Sequence, residues 1–147
     1  MPPVLAKFKS DIIKAARAGL KESATLLENK IIERATLTDH TLKDLVKLGF
    51  PYSAQHPKPP LHDPNWQIHI QSGTLQDNIR QTAEGKDAIS VGVDGEKVID
   101  DEGYPYLDDV INGTPLMIPR PFVTESYNES TDQIKETMDD YIKTACD

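Results

Sequence analysis

Four histidines and a run of carboxylates are the residues of this sequence that could build a metal site. The histidines are His40, His56, His62 and His69. His62 and His69, with the Asp-Asp-Glu run at residues 100–102, offer the imidazole and carboxylate ligands that bind divalent metals. Their spacing matches none of the compact metal motifs. A small metal-dependent hydrolase or nuclease using these residues therefore stays open as an alternative function.

Other reactive side chains lack the partners that catalysis requires. Ser72 lies in Gln-Ser-Gly-Thr, which is not a nucleophile elbow. Asp108 and Asp109 are adjacent, so on a helix their side chains diverge by about 100° and make a poor acid–base pair. The single cysteine, Cys146, is next to the last residue of the sequence. We therefore predict a protein that is not an enzyme and that has no catalytic, cofactor-binding or metal-binding residues.

Arg120 is held between Pro119 and Pro121 and is followed by Phe122. Each proline fixes φ near −65° and removes a backbone donor, which stiffens the segment. An arginine on a stiff backbone loses less entropy when it pairs, and its guanidinium suits bidentate contacts with carboxylates. Phe122 is the natural buried anchor. The sequence leaves two readings of Arg120 open, namely an internal salt bridge to Asp108 or Asp109 and a contact with another subunit.

The composition is that of a polar, acidic single domain. The 147 residues are 37% hydrophobic and 27% charged, with a net charge of −8. This charge argues against nonspecific binding to nucleic acid. It is unevenly distributed, because residues 91–147 carry 14 acidic and 4 basic side chains. Such a block is typical of a solvated acidic face, and it also suits one end or the lining of an assembly.

Two stretches keep apolar residues at helical spacing over many turns. The first predicts an amphipathic helix over residues 4–34, in which Gly19 costs about 1 kcal/mol relative to alanine and suggests a bend. The second predicts a C-terminal helix over residues 123–145. A short helix is expected at residues 40–48, ending at Gly49. A chain of this size can hardly cover the first helix along its whole length, so we expect part of its stripe to remain exposed.

Residues 50–65 contain five prolines, which exclude a helix or a central strand. We predict a long extended loop that reaches a neighbouring subunit, with Tyr52, Pro59 and Pro60 among its contacts.

The remaining segments predict a small, mainly antiparallel sheet. Residues 66–71 and 88–93 alternate apolar and polar side chains and are expected to be strands. Asp94-Gly95 predicts a hairpin with a return strand at residues 97–99. Residues 74–82 are predicted as a polar turn or short extension anchored by Leu75 and Ile79. Turns are expected at residues 84–86 and in a helical segment ending at Gly113, followed by a short strand at residues 114–118.

Together these elements predict one α+β domain over residues 1–147. It has a long N-terminal helix, a short second helix, the small sheet and a C-terminal helix packed on that sheet.

Four segments in order resemble motifs of the tailed-phage head–tail joining proteins, also called neck or tail-completion proteins. The resemblance covers about Ser72 to the C-terminus, and the long N-terminal helix fits it. The segments are Ser72-Gly73-Thr74-Leu75 with Asn78-Ile79; Ser90-Val91-Gly92-Val93; Tyr106-Leu107-Asp108-Asp109-Val110-Ile111-Asn112-Gly113-Thr114; and Arg120-Pro121-Phe122.

The resemblance implies a non-enzymatic virion protein that joins head and tail by forming a ring, commonly of six subunits. Its implied partners are copies of itself, the connector or head-completion protein and the tail-tube protein. Assembly would take place in the host cytoplasm, without a membrane or a cofactor. DNA would pass through the channel without specific binding, and acidic walls would suit this because they repel phosphate.

The contact residues expected in such a ring are Arg120, Phe122, Asp108 and Asp109, with the loop over residues 50–65. A tail terminator or a minor capsid protein of similar build is a second possibility within the same class.

Overall fold

The computed structural model describes residues 2–36, 73–100, 102–113 and 121–147, and the longest element in them is helix α1, Pro3–Ala35. Pro3 lies in the first turn, where the N–H that proline lacks has no partner within the helix. The helix ends at Thr36, whose N–H bonds back to the carbonyl of Glu33. The predicted N-terminal helix is confirmed. It continues through Gly19, which is buried.

The C-terminal helix, which we call α4, covers Phe122–Cys146 and runs antiparallel to α1. Near its start, Glu129 pairs with Lys30 and Arg34 from the end of α1. Further along, Met138 and Tyr141 approach Gly19. The predicted C-terminal helix is confirmed, and α1 is its main packing partner. Its first residue, Phe122, reaches the core shared with the sheet.

A two-stranded antiparallel hairpin lies against α1. Its strands are β1, Ile79–Ala83, and β2, Ile89–Val93, paired from Ile79↔Val93 to Ala83↔Ile89. The Glu84 N–H donates to the carbonyl of Ala88 at 2.8 Å, and Gly85 in the turn has a φ of 78°. Strand β2 and the turn at residues 84–86 are confirmed. β1 occupies a segment that the sequence suggested was a polar turn or short extension.

The hairpin predicted at Asp94-Gly95 is wrong. Gly95–Lys97 forms a 3₁₀ turn, and the next residue, Val98, is fully buried in the core. Ile99 then forms an isolated bridge with Pro105 rather than a strand paired with β2. Because Val98 is buried, the chain turns toward the core after Lys97. The Asp94-Gly95 pair therefore follows the end of β2 and does not lead into a return strand.

Two short helices complete the described elements: α2, Thr74–Asp77, and α3, Leu107–Asn112. Helix α3 ends at Gly113, which has a φ of 77°, as the sequence predicted. The predicted helix at residues 40–48, the loop over residues 50–65 and the strands at residues 66–71 and 114–118 lie outside the described residues.

The core gathers residues from every part of the described chain, at the C-terminal end of α1. Leu75 and Ile79 are buried, as predicted for anchors. The complete buried cluster is Ile31, Ala35, Leu75, Ile79, Val98, Val110 and Phe122. Helices α1 and α4 with the hairpin give the chain its α+β architecture.

Candidate functional site

The residues predicted to make intersubunit contacts occupy different environments. Phe122 has no exposed surface, so in this fold it is an internal anchor and presents nothing to another subunit. Asp108 is exposed and Asp109 is half-buried, both in the first turn of α3. The remaining predicted contacts lie outside the described residues: Arg120, Tyr52, Pro59 and Pro60.

The alternative metal site falls mostly outside the described chain. All four histidines lie there, as does Asp101. Asp100 and Glu102 are described and exposed. Asp100 is engaged locally, because its Oδ1 accepts hydrogen bonds from the backbone N–H groups of Glu102 and Tyr104 at 2.9 and 2.8 Å. Across residues 2–36, 73–100, 102–113 and 121–147, no three His, Cys, Asp or Glu side chains are grouped so as to hold a metal ion.

The first candidate surface is the N-terminal arm, which we define as residues 3–13 of α1. Residues 2–10 are all exposed, and the arm presents Val4 (78% exposed), Leu5 (54%) and Phe8 (45%) to solvent. Helix α4 meets α1 at Gly19 through Tyr141, only five residues before α4 ends. The arm therefore extends roughly 15 Å beyond the part of α1 that α4 covers.

The hairpin also stops short of the arm. Its turn reaches α1 at Arg17, whose Nε donates to Asp87 Oδ1 at 3.0 Å. Gln81 Nε2 donates to Thr25 Oγ1 at 3.2 Å, so the hairpin lies along the middle of α1. The apolar stripe buried under α4 and the hairpin continues past both of them onto the arm, through Ile12, Phe8 and Leu5.

The second candidate surface is the acidic corner, which we define as residues 99–100 and 102–109. It exposes Ile99 (43%) and Tyr104 (56%) among four carboxylates and contains no lysine or arginine. The negative charge of Asp109, together with its hydrogen bond to the Tyr104 hydroxyl, raises the pKa of Tyr104 above its ordinary value of 10.0. Charges at Asp100 and Asp108 act in the same direction. The corner is thus an aromatic surface in a strongly negative field.

A polar groove of about 460 Å³ runs between α1 and α4. Lys30 Nζ lies 3.5 Å from Glu129 Oε2, and Arg34 also pairs with Glu129. The hydrogen bond from Arg34 lowers the pKa of Glu129 below its ordinary value of 4.5. These ion pairs across the groove link α1 to α4. Its lining residues are Glu22, Thr25, Leu26, Asn29, Lys30, Glu33, Glu129, Ser130 and Gln133.

No protein-family model, curated protein or solved structure matches the chain. Among the described helices, none is both long enough and apolar enough to cross a membrane.

One of the two candidate surfaces could be predicted in part from the sequence. The length of the apolar stripe predicted that α1 would be left partly uncovered, which is what the arm shows. Ile99 and Tyr104 were not singled out. The signal that could have found them is the stretch from Val98 to Gly113, which contains five acidic residues and no basic one.

Proposed function

We propose that this chain is a non-enzymatic structural protein of a tailed-phage virion that joins head and tail as a neck or tail-completion subunit. It acts by assembling into a ring and by surface complementarity with the connector or head-completion protein and with the tail tube. DNA passes through the ring without specific binding, and the acidic surface keeps phosphate from adhering.

The observation that carries the proposal is the convergence of the four family-like segments on one core. Leu75 and Ile79 come from the first segment and Val110 from the third. Phe122 is the last residue of the fourth segment. Val93 of the second segment packs against this cluster. Residues that resemble the family in order along the chain thus act together in space, as expected if they specify a shared fold.

The exposed arm supports the assembly part of the proposal. A small protein that leaves Val4, Leu5 and Phe8 on the surface retains apolar area that burial in an interface would stabilise. The hydrolase alternative relies on His62 and His69, which lie outside the described residues.

Deleting the gene from the phage that encodes it tests the function directly. We expect DNA-filled heads and complete tails that remain unjoined, as seen by electron microscopy, and restoration of joined particles when the wild-type gene is supplied from a plasmid. Tails of abnormal length would indicate the tail-terminator alternative, and normal virions would refute the proposal. Stoichiometric metal in the purified protein, with hydrolysis of a phosphodiester substrate, would favour the enzyme instead.

A further inference from the structure

The N-terminal arm and the acidic corner complement each other in charge and in apolar character. The arm carries Lys7 and Lys9 around Leu5 and Phe8, with Asp11 as its single acidic side chain. The corner surrounds two exposed apolar residues with carboxylates and has no basic residue. A basic, apolar helix end and an acidic, apolar loop are a matched pair, because opposite potentials steer surfaces together and apolar burial holds them.

The two surfaces lie at opposite ends of the folded chain. Tyr106, Leu107 and Val110 pack in or against the core that contains Ile31, which places the corner at the C-terminal end of α1. Phe8 lies near the other end of this helix. At a rise of about 1.5 Å per residue, Phe8 and Ile31 are roughly 35 Å apart. The arm of one chain therefore cannot reach its own corner, and a contact between the two surfaces requires two copies.

Pairing of two arms is a poorer alternative. It would bring Lys7 and Lys9 of one copy close to the same residues of another, and like charges across an interface are unfavourable. The outer face of α4 is acidic as well, with Asp132, Glu136, Asp139 and Asp140 exposed. Its exposed Tyr141, however, is already hydrogen-bonded to Glu22 of the same chain. The corner offers Ile99 and Tyr104 to the arm as apolar partners.

We propose that the N-terminal arm of one copy docks on the acidic corner of the next copy, in a head-to-tail contact. This inference rests on the proposed function and names the surfaces that would build its ring. Leu5 and Phe8 pack on Ile99 and Tyr104, while the arm lysines face the carboxylates of the corner. Because the two patches differ, the contact is heterologous, and repeated by rotation it closes into a ring or extends into a filament.

A charge exchange between two full-length variants tests this contact. The first variant reverses the arm with Lys7→Glu and Lys9→Glu, and the second reverses the corner with Glu102→Lys, Asp108→Lys and Asp109→Lys, which leaves Asp100 as its one carboxylate among the described residues. Alone, each variant opposes like charges, so we expect its self-association constant to fall at least about tenfold by sedimentation velocity. Mixed in equal amounts, the two present opposite charges at every contact, and oligomers should return to nearly the wild-type level.

The pattern of results separates the possible occupants of the arm. If arms pair with arms, or if the arm docks on α4, the corner variant alone would associate like wild type, and the proposal is overturned. A wild-type protein that stays monomeric at all accessible concentrations also overturns it, since no second copy then covers the arm. Melting temperatures measured on each variant identify loss of association caused by unfolding rather than by charge.

Disulfide crosslinking gives an independent readout with native charges. In a Cys146→Ser background, a Phe8→Cys chain and a Tyr104→Cys chain should form a crosslinked dimer only when mixed, whereas Tyr127→Cys should not crosslink to Phe8→Cys. Crosslinking to Tyr127→Cys alone would overturn the assignment of the corner. This failure differs from failure of the proposed function, because a phage lacking the gene could still yield unjoined heads and tails.

Discussion

Gly19 lies where the two long helices pack against each other, and its substitution tests the fold. A Cβ added there would lie 3.1 Å from Met138 Sδ and 3.3 Å from Tyr141 Cβ. Ordinary contacts between such atoms are about 3.5–4.0 Å. The sequence suggested a bend at this glycine. The structure assigns it a different role, which is to leave room for α4.

Two opposing effects decide the outcome of Gly19→Ala. Alanine gains about 1 kcal/mol of intrinsic helix stability over glycine. Overpacking of a well-filled contact costs about 1–3 kcal/mol. We therefore expect the effect of Gly19→Ala on the free energy of unfolding to range from neutral to about 2 kcal/mol destabilising. The stability that alanine usually adds to a helix would then not be observed. Gly19→Leu adds three more carbons at the same place, and we expect it to destabilise by at least about 2 kcal/mol.

The assay is guanidinium unfolding followed by circular dichroism, with thermal melting as a check. For a chain of this length, 1 kcal/mol corresponds to roughly 3–5 °C in melting temperature. Ala18→Gly is the matched control, because Ala18 is exposed on the adjacent position of α1 and reports helix propensity alone, a cost of about 1 kcal/mol. Adding Met138→Ala to Gly19→Ala should recover stability. Full stabilisation by Gly19→Ala together with a neutral Gly19→Leu would refute the helix contact.

Three further substitutions test the core, a buried hydroxyl and an ion pair. Phe122→Ala should destabilise the protein by about 3–5 kcal/mol in the same assay, because it empties a fully buried site. Ser23→Ala should stabilise it by about 1 kcal/mol, since the buried Ser23 hydroxyl has no hydrogen-bond partner among the described residues; the control Ser126→Ala should gain less, because that hydroxyl donates to the carbonyl of Phe122 at 2.6 Å. The pKa of Glu129 is lowered by Arg34, so its contribution is present above pH 4.5 and is lost as the pH falls through the lowered value. Unfolding measured from pH 6 to pH 3 should therefore show a smaller acid loss for Glu129→Gln, by no more than about 1 kcal/mol at this partly exposed pair.

The long helices could be predicted from the sequence because their signal is local and repeated. Apolar residues from Leu5 to Ile31 mark one face over many turns, and the same holds from Ile134 to Ala145. Gly113 likewise marks a helix end through its own backbone preference, since its φ is 77°. In each case the residues that carry the signal are close together in the chain.

The strand pairing could not be predicted because its determinants are non-local. β1 has the apolar Ile79 at its first inward position but the polar Gln81 at the next, so its sequence lacks the apolar alternation of β2. Asp94-Gly95 gave a strong local hairpin signal, yet burial of Val98 in a core built by distant residues prevailed. Gly19 is a similar case. Helix propensity gives the cost of a glycine at this position, but only the packing of α4 against it explains why a glycine is there.

The exposed arm follows from a difference in length between two packed helices. α1 has 33 residues and α4 has 25, and they are aligned at the end where Phe122 meets Ile31 and Ala35 in the core. The excess therefore collects at the start of α1, farthest from that core. Residues 2–10 of the chain are all exposed, and half-buried side chains begin at Asp11 and Ile12. Among the described residues, the buried core therefore includes none of the arm, whose apolar residues Val4, Leu5 and Phe8 stay exposed.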